Sequence, residues 1–460
     1  METLTDKIKA FHEAIKGKRI TVIGIGISNR PLIRYLAEHS AQVTACDRKT
    51  EEQLADVMQE LSPLGVTFSL GDTYLDALDA DVIFKTPGMR FDHPALLAAQ
   101  ENGAEITSEM EVFFDVCPCR IIAVTGSDGK TTTTTLIHRM LSAEGFTCHL
   151  GGNIGTPLLT RAQEMKDTDF AVLELSSFQL HTMKKSPDVA VVTNISPNHL
   201  DMHKDYQEYI DAKKNILLYQ KPEQLAILNK DNAVTAALAE DARARRLMFS
   251  RRTDADVCLN DGCITMHGEK ILNISEIKIP GMHNVENYMA AIAATAAWVS
   301  PETVRKVARE FGGVEHRIEL VRTINGVRYY NSSIDSSPNR TINTLKVFSE
   351  PVVLIAGGKD KGIPYDDIGP AILEKVKALI LIGATADAIS RAVEQAAKQA
   401  GAALTIPIRR ENDYPSAVHS AHELAQPGDV VLLSNASTSF DMFQNFEQRG
   451  NLFKELVHKL

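Results

Sequence analysis

The sequence predicts an α/β protein of three domains, each a largely parallel sheet with helices on its faces. Three observations lead there. Short apolar runs alternate with helix-length segments along most of the chain, the pattern of strand–helix–strand crossovers. Many of these runs stop at turns rich in glycine, serine or asparagine, where ligands of open α/β sheets bind. The chain has 460 residues, too many for one hydrophobic core. The expected domains are residues 1–109, 110–313 and 314–460.

In the first domain, Arg19-Ile-Thr-Val-Ile23 reads as a strand and Pro31 to His39 as a helix. Gln42 to Cys46 is a second strand ending at Asp47, and Asp81 to Phe84 a later one ending at Thr86-Pro87-Gly88. A polar stretch around Thr107-Ser108-Glu109 leads onward. The second domain starts with the apolar run Arg120–Val124 and adds strands at Phe170–Leu173 and Val189–Thr193. A lysine-rich helix covers about Tyr206 to Leu218, a small β excursion lies near Val257 and Ile271, and an alanine-rich helix begins at Asn284. Gly312-Gly313 offers a hinge into the third domain. There the strands Val352–Ile355, Leu379–Ile382 and Val430–Leu433 end at Gly357-Gly358, Gly383 and Ser434-Asn435, and should border one crevice.

Composition narrows the partners. The formal net charge is −10, which disfavours nonspecific nucleic-acid binding. A protein of this charge that binds an anionic nucleotide must rely on local devices. No apolar run reaches membrane-spanning length, and the amphipathic start METLTDKIKAFHEAIKG has no signal-peptide core. The cysteines (46, 117, 119, 148, 258 and 263) lack C-x-x-C spacing and suit reduced thiols in a cytoplasmic protein.

The run Thr125-Gly126-Ser127-Asp128-Gly129-Lys130-Thr131-Thr132 carries the chemistry. A glycine turn between a buried strand and a helix presents backbone N–H groups and a helix N-terminus to phosphate. Lys130 suits the terminal phosphates of ATP, and the Thr131 hydroxyl suits Mg²⁺. The general phosphate-loop pattern has a further glycine where this chain has Val124, so G-x-x-G-K-T is a narrower class. Glu174, after its strand, is a carboxylate suited to Mg²⁺; without the loop it reads as an exposed charge at a sheet edge. His199-Leu-Asp-Met-His203 has spacing that invites zinc, but hard oxygens beside a nucleotide favour Mg²⁺. On periodicity alone, Lys213 and Lys214 read as a solvated lysine face, though either is able to turn back toward the loop. Asn284 reads as an N-cap, whereas Asn287, three residues on, is free to meet a base. Gly24-Ile-Gly26-Ile-Ser28-Asn29, followed by Asp47, is half of a dinucleotide fingerprint, equally readable as a tight turn.

Together these motifs resemble the Mur ligase family. TGSDGKTT, LELSSFQL, NHLD with Tyr209-x-x-Ala-Lys213, GMHNVEN, Glu315-His316-Arg317 and Asn445-Phe446-Glu-Gln-Arg-Gly-Asn stand in the family's order and spacing, over essentially the whole chain. The resemblance implies a Rossmann-like first domain, a central P-loop-type ATPase domain and a Rossmann-like third domain. It implies a cytoplasmic, monomeric ligase that adds D-glutamate to UDP-N-acetylmuramoyl-L-alanine through an acyl phosphate, giving ADP and phosphate.

By the same resemblance, Gly126 to Thr132 hold the ATP phosphates, Asn284 and Asn287 border the adenine, and Arg317 meets phosphates and ribose. Thr131 and Glu174 hold one Mg²⁺; His199 and a carbamylated Lys213 hold a second. Ser28, Asp47, Arg48, Lys49, Thr86, Gly88, Asn153 and Ser176 match the UDP-substrate site, and Lys361, Ser439 and Phe446 the D-glutamate site. The family usually has Asp after Asn331 and, in this ligase, Lys two positions further on; here stand Ser332 and Ile334. Asp335 is a candidate substitute, against a reading as an exposed charge in a polar loop. The competing functions are a related ligase using another amino acid or a folate-type substrate, a noncatalytic nucleotide-binding relative, and a dehydrogenase.

Overall fold

The computed structural model describes residues 4–460 except 27–28, 77, 198–201, 361–362, 402, 440–441 and 444. Its strands form three sheets. The first comprises β1 (Arg19–Ile23), β2 (Gln42–Asp47), β3 (Thr67–Leu70), β4 (Val82–Phe84) and β5 (Glu105–Thr107) in the order β3-β2-β1-β4-β5. All its pairings are parallel, the arrangement of a Rossmann-like half.

The second sheet has nine strands, β6 (Arg120–Thr125) to β14 (Glu269–Asn273). Its parallel part is β12-β11-β10-β9-β6-β8-β7, where β7 is Cys148–Gly152, β8 Phe170–Glu174, β9 Val189–Val192, β10 Leu225–Asn229, β11 Arg245–Ser250 and β12 Val257–Asn260. β13 (Cys263–Met266) and β14 continue from it as an antiparallel meander, the expected β excursion. Every residue of β8 and β9 is buried, as strands covered on both faces require. Each such Val, Leu or Phe side chain gains about 1.5–3 kcal/mol on burial.

The third sheet runs β15-β16-β20-β17-β18-β19, with β15 (Glu319–Ile324), β16 (Val327–Asn331), β17 (Val352–Ala356), β18 (Val376–Ile382), β19 (Ile408–Glu411) and β20 (Val430–Leu433). Only the β15–β16 hairpin is antiparallel.

Two compact units emerge from the packing: residues 1–276 with 285–307, and 277–284 with 308–460. The first unit therefore holds two sheets. Ser108 caps the helix Glu109–Val116 at its N-terminus, and Glu109 Oε1 accepts from the amides of Leu158 and Leu159 at 3.0 and 2.8 Å. The polar stretch is thus bonded into the central part of the unit. All six cysteines are free thiols. Among the described residues no helix is long and apolar enough to cross a membrane.

Candidate active site

The phosphate loop links β6 to the helix Lys130–Glu144. Two glycines shape it. Gly126 has φ 151°, and a Cβ there would lie 2.0 Å from Thr193 Oγ1. Gly129 caps the helix at φ 78°, and a Cβ there would lie 2.3 Å from Asn287 Oδ1. Both combine a positive φ with backbone packed against a neighbour, where only glycine fits. The end of β9 braces the loop. Thr193 Oγ1 and Asn194 Nδ2 donate to Asp128 O at 2.6 and 3.0 Å, and Asn194 O accepts from Ser127 N at 2.8 Å. Ser127 Oγ donates to Ser196 O and lies 3.0 Å from the Tyr209 hydroxyl. Lys130 Nζ folds back onto the carbonyls of Gly126 and Ser127, at 3.0 and 2.9 Å. Thr131 and Thr132 occupy the first turn of the helix.

Glu174 is not at a sheet edge. It ends β8, which lies between β6 and β7, and its register partner on β6 is Val124, just ahead of the loop. It is 2% exposed. Its Oε1 accepts from Asn153 Nδ2 at 2.8 Å, whereas among the described residues its buried Oε2 has no hydrogen-bond partner. A buried carboxylate oxygen without a donor asks for a cation. Together with the Thr131 hydroxyl it fits Mg²⁺, which takes few protein ligands and completes its shell with water and phosphate oxygens.

Lys213 corrects the reading of a solvated face. The helix Tyr206–Leu218 buries it at 1% exposure, while Lys214 pairs with Asp241. Lys213 Nζ donates to Gly126 O at 2.8 Å and sits 4.7 Å from the Tyr209 ring centre. Burial, with Lys130 nearby, pushes its amine well below the ordinary lysine value, against the opposing pull of Glu174 and Asp128. His199, expected beside it, lies outside the described residues. Tyr209 was read only as part of the motif ending at Lys213, and Thr193 and Asn194 were given no role from the sequence; position at the end of β9 is the signal the latter two carried.

In the first sheet Asp47 turns inward. Its Oδ2 accepts from Ile25 N at 2.6 Å and its Oδ1 from Lys49 N at 2.9 Å, so the acid holds the glycine loop in place. Asn29, standing where the fingerprint has its third glycine, donates to the carbonyls of Ile23 and Gly24. Thr86 packs against Gly24, while Arg48, Lys49 and Gly88 are exposed. Ser28 lies outside the described residues. Ser176 forms a capping box with Gln179, so its hydroxyl and amide are engaged locally.

Two asparagines open the alanine-rich helix, and one expectation fails. The helix starts at Met282, so Asn284 lies in its first turn and is not the N-cap. Asn284 donates back to Pro280 O at 2.6 Å. Asn287 accepts from Thr133 Oγ1 at 3.3 Å and stands against Gly129, which brings it to the phosphate loop.

The second unit gathers the remaining residues around β16 and β20. Arg317 sits in a tight turn flanked by His316 and Ile318, both at positive φ, and its amide donates to Val314 O. Asn331 Nδ2 lies 3.0 Å from His316 Nδ1 and donates to Glu319 Oε2 at 3.1 Å. Ser332 is fully buried and accepts from Ile318 N. Asp335 is buried too, not exposed in a polar loop. Its Oδ2 accepts from Thr344 Oγ1 at 2.7 Å and Ser434 Oγ at 2.8 Å, so the carboxylate is spent on joining two loops. Arg449, quoted within the C-terminal motif but given no role there, is fully buried and donates to Ser333 Oγ, Ser333 O and Ser437 O at 2.9, 2.6 and 3.1 Å. Ser439 is buried two residues beyond Ser437, and Phe446 stands edge-on to His316, its carbonyl bound by Ser333 Oγ. Lys361 lies outside the described residues.

Comparison with known proteins gives a consistent picture. Residues 18–108 match the Mur ligase MurD-like N-terminal domain, 124–295 the Mur ligase middle domain, and 316–436 the Mur ligase glutamate ligase domain. The chain is 54% identical to the UDP-N-acetylmuramoylalanine--D-glutamate ligase of Ruminiclostridium cellulolyticum, over 99% of this chain and 100% of that one. It is 53% identical to the enzyme of that name from Acetivibrio thermocellus, with the same coverage, and 48% to that of Clostridium perfringens, over 98% of each chain. Among solved structures, UDP-N-acetylmuramate-alanine ligase from Thermotoga maritima shares the fold at a TM-score of 0.57 and 18% identity, over 96% of this chain and 99% of its own. A pseudomurein peptide ligase type C from Methanothermus fervidus does so at 0.52 and 19%, with the same coverage. The chain belongs to the Mur ligase family.

Proposed function

We propose that the protein joins D-glutamate to UDP-N-acetylmuramoyl-L-alanine, with ATP as the driving substrate and ADP and phosphate as products. A carboxylate is a poor electrophile at neutral pH. ATP turns one of its oxygens into a leaving group by forming an acyl phosphate, which the amine of D-glutamate then attacks. Reactants that are all anionic must be held together, so positioning and charge neutralisation dominate the catalysis.

The observation that carries this reading is the orphaned, buried Glu174 Oε2 at the strand end beside the phosphate loop. Glu174 and Thr131 would hold Mg²⁺, which supplies neutralisation of the phosphate oxygens. Lys130, now on the loop carbonyls, moves its ammonium to the terminal phosphates when nucleotide enters. Within Gly126 to Thr132, the amides that Asn194 does not hold and the helix N-terminus cradle the remaining oxygens. Asn287, against Gly129, borders the nucleotide, with Asn284 and Arg317 in the same role.

The buried amine of Lys213 suits carbamylation. Burial favours its neutral form, and a neutral amine adds to CO₂. The resulting anion would face Lys130 as a hard ligand for a second Mg²⁺, with His199. Ser28, Asp47, Arg48, Lys49, Thr86, Gly88, Asn153 and Ser176 serve the UDP-sugar, and Lys361, Ser439 and Phe446 the D-glutamate. The enzyme works in the cytoplasm, as a monomer.

Phosphate release tests the assignment. It should require ATP, UDP-N-acetylmuramoyl-L-alanine and D-glutamate together. Release with L-lysine or diaminopimelate in place of D-glutamate would indicate a different amino-acid specificity, and release with no acceptor combination would indicate a noncatalytic relative. Intact-mass analysis tests Lys213 separately: loss of one CO₂ equivalent on acidification is expected in the wild type and absent in Lys213→Met.

A further inference from the structure

We propose that Lys85 is an oxyanion-binding residue of the acceptor site, its ammonium receiving either the diphosphate or the carboxylate of the UDP-sugar. This rests on the function proposed above. Lys85 follows β4 directly, and its amide donates to Thr107 O at 2.9 Å, which fixes the backbone at the strand end. The side chain is 4% exposed. Among the described residues no side chain or carbonyl makes a hydrogen bond or ion pair with its ammonium. Burial pushes its amine below the ordinary lysine value, against a weaker pull from Glu111, whose carboxylate already accepts from Ser108 Oγ at 2.8 Å; an anionic ligand would restore the charged form. A buried ammonium without a counter-ion is costly, and proteins retain one where a ligand supplies the charge.

Lys85 also lines a cleft, of about 290 Å³ counting its open mouth. On one side lie Lys85 and Gly88; on the other lie Phe178, Met202 and His203, from the central part of the same unit. The rings of Phe178 and His203 are stacked, 5.3 Å apart and 8° from parallel. Arg90, the other permanent cation at the cleft, is already held by Asp92 and Glu208 through four hydrogen bonds of 2.8–3.1 Å. Among the described residues lining the cleft, Lys85 is therefore the permanent cation that remains for a ligand. Its position next to Thr86 and Gly88, which the UDP-sugar assignment already includes, makes the acceptor the fitting occupant, with an oxyanion on Lys85.

The test uses the full chain with Lys85→Met and Lys85→Arg, and Lys85→Gln if the methionine variant does not fold. In the methionine variant the KM for the UDP-sugar acceptor should rise about tenfold or more, the scale of one lost charge-assisted hydrogen bond. The KM for ATP should stay within about twofold, as should the kcat if the diphosphate is the group held; a lost contact to the reacting carboxylate should lower the kcat as well. Arginine should restore part of the acceptor affinity. UDP alone, used as a competitive inhibitor, separates the two oxyanions. Weaker UDP inhibition in the methionine variant assigns the diphosphate; unchanged inhibition with a raised acceptor KM assigns the carboxylate. An unchanged acceptor KM overturns the proposal, as does an equal rise for all substrates with a lowered melting temperature. Wild-type protein without turnover on this acceptor would sink the proposed function itself, a separate outcome.

Discussion

The loops after β6 and β16 both leave the carboxyl end of a buried strand, yet they are held by opposite means. The loop Gly126–Lys130 is set by backbone. Two glycines occupy positions a Cβ would close, and the end of β9 receives the loop's amides and carbonyls. The loop Ser332–Ser337 is set by side chains. Ser333 is gripped by Arg449, and Asp335 is tied to Ser434 and Thr344. The first arrangement ties the Ser127 and Asp128 amides to Asn194 and leaves the helix N-terminus without a side-chain cap, open to an anion. The second spends its polar groups on one another and makes a rigid frame. The difference separates a loop built to receive phosphate from one built to hold its neighbours still.

The largest effect should come from the first loop. Lys130→Met removes the cation aimed at the terminal phosphates while keeping the length of the side chain. Phosphate release per enzyme should fall by at least about 10²–10³-fold, the scale of losing one preorganised charge contact in the transition state. Melting temperature should change little, because the Lys130 bonds to Gly126 O and Ser127 O lie on a loop that is braced independently by Thr193 and Asn194. Activity within about tenfold of wild type would mean that backbone alone carries phosphate recognition.

The same contrast explains what the sequence made legible. The phosphate loop could be read because its constraint is local: glycine, glycine, lysine and threonine within six residues, between an apolar strand and a helix. Glu174 and Lys213 were found as motif members, but their burial was not foreseen, because it depends on β7 and on the helix Tyr206–Leu218 closing over the loop. The frame of the second unit was hidden. Ser333 and Arg449 are 116 residues apart, and Asp335 and Ser434 are 99 apart; no window of sequence contains either pair. Asp335 could therefore be read only as a candidate substitute or as an exposed loop charge, not as a buried tie. Lys85 escaped notice for a related reason: one lysine after a strand is ordinary until its burial and lack of a partner are seen. β1, β2, β4, β6, β8, β9, β17, β18 and β20 were legible as apolar runs and Tyr206–Leu218 agrees to the residue, whereas β3, β5, β7, β10, β11, β15, β16 and β19 were not read.

A smaller effect, on stability, should come from the second loop. Arg449→Met deletes three hydrogen bonds from a guanidinium of zero exposure and leaves the carbonyls of Ser333 and Ser437 without that donor. A loss of about 3 kcal/mol is expected, read from the urea midpoint of the second unit's transition. A loss under about 1 kcal/mol would show that the serine loop holds itself without the arginine.

The smallest effect tests a link of intermediate kind, long in sequence but near the surface. Arg90 and Glu208 are 118 residues apart and join within the first unit at 3.0–3.1 Å. The Arg90 guanidinium, with help from the Lys204 amide, holds the Glu208 carboxyl at a pKa of about 2, against the opposing effect of burial. An unfolded glutamate titrates near 4.3. The folded pKa is depressed, so the unfolded chain binds more protons in between, and the stabilisation is complete above about pH 4.3 and lost as pH falls toward about 2. Because the partners are partly exposed, solvent screening limits the contribution to about 1–2 kcal/mol. Glu208→Gln should therefore be less stable than wild type at neutral pH, and the gap should close through that acid window. A gap that stays constant from about pH 5 to pH 2.5 would assign the loss to packing rather than charge, leaving this link closer in kind to the neutral hydroxyl bonds of the serine loop.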